Sequence, residues 1–172
     1  MPPAVLADWN AYAYHFCLDA YYAAGLRTVG EALVTAGDPE GGALRMRGAR
    51  LAAETRRAFM QAQNRSPVVP LRNGTWFPYY PSQLHSPGRL GGFFPGDDAG
   101  RSWCYDVELG ARQRVPTGVL NWPADAALIA PMLDHMEDEQ FLADGWFDYP
   151  AATNRQDWFN LGGFSKVQPY YT

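Results

Sequence analysis

From Asp8 to Ala36 no proline interrupts the chain, and the middle of this stretch is apolar nearly all round: Ala11, Tyr12, Ala13, Phe16, Cys17, Leu18, Tyr21 and Tyr22. Such a pattern predicts one long helix, and a helix apolar on every face is expected to be buried on every face. Gly37 supplies a C′ stop. Asp38 and Pro39 then read as an N-cap followed by an N1 proline, so a second helix is expected to open at once. From about Pro39 to Asn64, apolar and small residues recur at three and four residue spacing: Leu44, Gly48, Leu51, Thr55, Ala58 or Phe59, and Ala62. Arg45, Arg50, Arg56 and Arg57 fall elsewhere on the wheel, giving one dry stripe and one wet face. The two helices predict a tight helical hairpin with an inner and an outer member. That is the unit of α/α toroids and helical solenoids, although an ordinary bundle has the same pattern.

After Ser66 and Pro67 the period changes to VVPL, RNGT and WFPYY, which predicts a small β-hairpin. Asn73-Gly74 sits where a type I′ turn would place two residues of positive φ. Asn73-Gly74-Thr75 also matches a glycosylation sequon, but the turn accounts for it without an export signal. The stretch from Pro81 to Gly100 is loop by composition. Order is expected to return at Trp103 and, as helix, from Pro123 to about Leu142, with a kink or restart at Pro131. The remainder is irregular and aromatic. The expected organisation is therefore mainly α, in one domain: a helical hairpin over 8–64, a β-hairpin and aromatic loop over 66–122, and a helix with an aromatic tail over 123–172. These few elements cannot cover an all-round apolar helix, so the chain is expected to be part of a larger toroid or to be covered by a homo-oligomer.

The 172 residues carry a net charge of −4, and the 14 basic residues form no long run, so the electrostatic footprint of a nucleic-acid binder is missing. No apolar run reaches the ~20 residues needed to span a bilayer, and MPPAVLADWN lacks the basic and apolar regions of a signal peptide. A cytoplasmic protein is expected. Cys17 and Cys104 lack zinc-ligand spacing and read as reduced thiols. His15, His85 and His135 show no metal-ligand spacing, and neither GxGxxG nor GxxxxGK[ST] is present, so neither a metal nor a cofactor is called for.

What changes the picture is where the rings fall. Six Trp, ten Tyr and nine Phe are placed heavily in loops, where a ring must pack on the domain or on a ligand. Flat, partly apolar sugar faces suit such rings, with hydroxyls reaching nearby polar side chains. The candidate sugar-binding residues are Trp76, Tyr79, Tyr80, His85, Trp103, Trp146 and Trp158. Packing alone would also use these rings, as a plug on one end of the helices.

Carboxylates are the second ingredient of glycosidic chemistry, which needs a proton donor and a second acid at a set separation. HMEDEQF places Glu137, Asp138 and Glu139 in three directions at a helix end, so one of them is expected to face inward. Crowded like charges raise a carboxyl pKa toward what a general acid needs. In SWCYDVELGA, Asp106 and Glu108 share one side of an extended segment. Solvated helix ends, and ion pairs with Arg112 or Arg114, are the plain alternatives.

The order RSPVVPLRNGTW, SWCYDVELGA, MLDHMEDEQF and LGGFSKVQPYY resembles a piece of the six-hairpin (α/α)₆ toroid glycosidase-like proteins of bacteria. The resemblance implies an active site built from loops at one end of a toroid, with acids as proton donor and base. Asp106, Glu108, Glu137 and Asp138 fall at the matching positions. It implies an oligosaccharide or polysaccharide as partner, hydrolysed by general acid/base catalysis; a non-catalytic carbohydrate-binding or scaffold segment is the alternative. Sugar epimerases and lyases of the same architecture form a third possibility. The chain departs from the family in being far too short for six hairpins.

Overall fold

The computed structural model describes residues 2–5, 12–85 and 115–140. In chain order the elements are β1 (Ala4–Val5), β2 (Tyr12–Ala13), α1 (Phe16–Thr35), α2 (Gly41–Gln63), β3 (Val68–Pro70), β4 (Trp76–Pro78) and α3 (Ala126–Gln140). The fold is mainly helical, with two-stranded antiparallel sheets β1–β2 and β3–β4.

The turn between α1 and α2 follows the sequence closely. Gly37 takes φ +78°, its N–H bonds to Val34 O at 3.0 Å, and the Asp38 N–H bonds to Leu33 O at 2.9 Å. These two bonds make a Schellman motif that satisfies the last carbonyls of α1. The Asp38 carboxylate accepts the Glu40 N–H at 2.8 Å. Pro39 and Glu40 remain in the turn, and α2 begins at Gly41.

The start of α1 differs from the all-helical expectation. Tyr12 and Ala13 pair with β1, and the Phe16 N–H bonds to Ser82 O at 3.0 Å while Tyr14 O accepts the Leu84 N–H at 3.1 Å. Long-range pairing takes the backbone groups a first helical turn would have used, so His15 stays extended (φ −83°, ψ 121°) and the helix opens at Phe16. Nor is α1 buried on every face. One side packs on α2, while Tyr21, Tyr22 and Val29 are 49%, 61% and 51% exposed.

The α2 stripe is as expected. Gly48, Ala52, Thr55, Phe59 and Ala62 are buried, and a Cβ at Gly48 would lie 2.7 Å from the Arg27 backbone N. Only glycine allows the two helices to approach so closely there. Phe16 meets Phe59 edge-on at 5.8 Å, and Phe59, Tyr80 and Phe77 continue the ring stack with centroids 5.4 and 5.8 Å apart. Leu71, Leu120, Ile129 and Met132 complete this core. A smaller core of Ala20, Ala23, Ala52 and Val119 lies farther along the helix pair.

In the β-hairpin, Val68 pairs with Pro78 and Pro70 with Trp76. Its loop is not the two-residue type I′ turn. Leu71 N bonds to Thr75 O, and Gly74 N to Leu71 O, both at 2.9 Å, with Gly74 at φ +83°. That is a three-residue loop, a type I turn closed by a left-handed glycine. Asn73 Oδ1 accepts the Thr75 N–H at 2.9 Å, so its side chain serves as a local cap.

Residues 115–125 cross the helix pair. Arg27 donates to Thr117 O, and Arg56 donates to Val119 O at 3.0 Å and to both carboxylate oxygens of Asp125 at 2.5 and 2.7 Å. Asp125 also accepts the Asn121 N–H at 2.8 Å, and its own carbonyl starts the bonds of α3. The helix then runs unbroken past Pro131 to Gln140. No described helix is long and apolar enough to cross a membrane.

Candidate functional site

The helical hairpin has a closed end at Gly37–Asp38 and an open end, where α1 begins, α2 finishes and the β-hairpin is attached. Polar side chains converge inside the open end. His15 and Asp19 lie one helical turn apart at the start of α1, so they share a face. Ser82 and Gln83 are brought to the same place by the Phe16–Ser82 backbone bond and the His15–Gln83 bridge. Gly48 against Arg27 and Phe59 against Phe16 fix the antiparallel register, which sets Thr55 opposite the Phe16–Ala20 turn.

All five are at least 96% buried. Among the described residues, Asp19 Oδ2, Thr55 Oγ1, Ser82 Oγ and Gln83 Nε2 have no hydrogen-bond partner. A buried polar atom without a partner costs about 1–3 kcal/mol, so four in one region amount to a large local penalty. Burial pushes the Asp19 carboxyl up to about 6, although a first-turn position would by itself favour the charged form. Its carboxyl therefore holds a proton to higher pH than a free carboxylic acid does. As the acid it offers an O–H donor, and as the carboxylate a strong acceptor.

His85 is exposed and stands edge-on to Tyr14, with centroids 5.5 Å apart. Trp76, on β4, is 64% exposed. The neighbouring rings serve differently: Tyr79 and Tyr80 are each 3% exposed, and Tyr80 donates its hydroxyl to Leu128 O. Both residues, expected at a sugar site, are buried, and Tyr80 ties the hairpin to α3. Glu137 and Asp138 belong to the last turns of α3, and their side chains lie outside the described residues. Trp103, Asp106, Glu108, Trp146 and Trp158 also lie outside them. No group of three His, Cys, Asp or Glu side chains among the described residues is arranged to hold a metal ion.

Sequence reasoning passed over Asp19, Thr55, Ser82 and Gln83. One signal was present: Asp19 is the single acid in the otherwise apolar run HFCLDAYYAAG, and acids are almost never buried without a partner. Thr55 was legible only as a position on the buried stripe of α2, and Ser82 and Gln83 have no local signal, because long-range pairing buries them. No protein family model, curated protein or solved structure matches this chain.

Proposed function

We propose that this chain is a carbohydrate-active protein, part of a glycoside hydrolase-like α/α toroid, which binds an oligosaccharide or polysaccharide at the open end of its helical hairpin. The observation that carries the reading is the unequal treatment of adjacent rings. Phe77, Tyr79 and Tyr80 are 7%, 3% and 3% exposed, while Trp76 at the start of β4 is left 64% in water. An exposed indole matches the C–H face of a sugar ring. His85 and Tyr14, edge-on to each other beside the start of α1, are further aromatic and polar groups for such a ligand.

Hydrolysis, as the finer assignment, uses an acid from Glu137 or Asp138 to protonate the leaving oxygen, with Asp106 and Glu108 as further candidates. The non-catalytic reading keeps the Trp76 platform and drops this step.

A tryptophan-fluorescence titration against a panel of oligosaccharides tests the binding claim. A saturable, sugar-specific response that Trp76→Ala abolishes is expected; no response from the folded chain would refute it. For the catalytic step, loss of turnover in Glu137→Gln or Asp138→Asn with sugar binding retained is expected, and full turnover in both would remove these acids from the reaction.

A further inference from the structure

Residues 82–84 lie along the start of α1 as a short antiparallel strip. The Phe16 N–H bonds to Ser82 O at 3.0 Å, the Leu84 N–H bonds to Tyr14 O at 3.1 Å, and His15 pairs with Gln83. Paired residues stand on one side of a sheet, so Gln83 stands beside His15, and Asp19 is next on the His15 face of α1. Ser82 Oγ and Gln83 Nε2 are buried without a hydrogen-bond partner, and so is Asp19 Oδ2. Lifting the strip would let water satisfy all three. The β-hairpin just before the strip is anchored through the Phe59, Tyr80 and Phe77 rings, so release of 82–84 can stop short of the core.

We propose that the 82–84 strip is a proton-operated latch, held on 14–16 while Asp19 is a neutral acid and released locally when Asp19 ionises, with the rest of the helical hairpin left folded. A neutral acid tolerates burial, whereas a carboxylate needs a cation or several donors.

The surroundings supply few of either among the described residues. From α1, His15 shares the Asp19 face. From α2, Thr55 lies opposite, and its neighbours Glu54 and Arg56 are bonded to Arg50 and Asp125. The 82–84 strip, β1 and β2 hold no acid, histidine, lysine or arginine. Burial raises the Asp19 carboxyl to about 6 against the opposing pull of the amino-terminal charge. In the open latch the carboxyl returns toward its ordinary value near 4, so opening releases a proton. Between about pH 4 and pH 6 the opening equilibrium therefore rises, by up to about a hundredfold, and it levels off above that window.

Native-state hydrogen exchange of the full chain, followed by NMR across this pH window with and without low urea, tests the latch. The Phe16 and Leu84 amides report the strip, and the Ile129 amide, bonded to Asp125 O at 3.0 Å, reports the core. Phe16 and Leu84 are expected to be less protected than Ile129 and insensitive to low urea, as in a local opening. Their protection is expected to fall by up to about a hundredfold from about pH 4 to about pH 6. In Asp19→Asn it should stay constant over that window, with Ile129 still protected. Protection at Phe16 and Leu84 that ignores pH, that keeps its pH dependence in Asp19→Asn, or that equals that of Ile129 in size and urea dependence would overturn the proposal.

Discussion

Two aspartates begin two helices of this protein, and they live in opposite circumstances. Asp125, 8% exposed and just ahead of α3, is held by both arms of Arg56 and by the Asn121 N–H, which keep its carboxyl below the usual carboxylate range. Asp19, 1% exposed in the first turn of α1, has an oxygen with no partner among the described residues, and burial lifts it to about 6. The first has all its chemistry committed to structure: it staples the 115–125 segment to α2. The second is maintained by the fold at a cost. Unsatisfied groups of this kind gather at the open end of the helical hairpin, whereas the closed end at Gly37–Asp38 satisfies its caps.

The strongest way to break this contrast is to deprive Asp125 of its partner. Arg56→Met is expected to destabilise the fold by about 2–3 kcal/mol in urea unfolding, somewhat under the fully buried range because the Arg56 side chain is 38% exposed. A loss under about 0.5 kcal/mol would mean that the pair is no staple.

Asp19→Asn should act in the opposite direction. Lifting a carboxyl to about 6 makes its ionisation in the folded state cost up to about 3 kcal/mol. The sign follows from which state holds the proton. Between about pH 4 and pH 6 the folded chain binds more protons than the unfolded one, so the Asp19 contribution to stability is complete below that window and is lost as pH rises through it. Asp125 has the reverse sign: its contribution is present above the unfolded carboxyl value and is lost as pH falls through its lowered folded one. Asp19→Asn is therefore expected to stabilise by about 2 kcal/mol at neutral pH and to be neutral in acid. Equal effects at both pH values would show that its ionisation carries no penalty.

A smaller gain is expected from Thr55→Val, which replaces an unpartnered buried hydroxyl by a methyl of the same shape. It should stabilise by up to about 1 kcal/mol in urea unfolding. Clear destabilisation would reveal a hydrogen bond that the hydroxyl makes with bound water or ligand. Smallest of all is the stability effect of Trp76→Ala, within about 0.5 kcal/mol by thermal unfolding, because that ring is mostly in solvent.

Local signals carried the sequence reading as far as they reach. Gly37, Asp38 and the α2 stripe announced the helical hairpin, and Asn73-Gly74 announced the β-hairpin, because caps, turns and helical periodicity act within a few residues. The reading failed where distant segments compete. Ser82 and Leu84 claim the backbone before α1, and Gly74 closes a three-residue loop whose bonds run between Leu71 and Thr75. Burial of α1 on every side was read from composition, but among the described residues α2 and the 115–125 segment cover one side and leave Tyr22 and Val29 exposed. Trp76 and His85, expected at a sugar site, are both exposed. Tyr79 and Tyr80 carried the same signal and proved to be core, since an aromatic in a hairpin does not announce which face it takes. Asp19 was visible only as an acid out of place.

The most direct test of a sugar site at the open end is an amide and indole NMR titration of the folded chain with an oligosaccharide that binds it. Two exposed indoles give the contrast: Trp76 at 64% on the hairpin, and Trp122 at 63% on the segment that crosses the helices. The account predicts saturable shifts of the Trp76 indole N–H and of the Tyr14 and His85 amides, with Trp122 unmoved. Saturable binding that shifts Trp122 and leaves Trp76 where it was would contradict it.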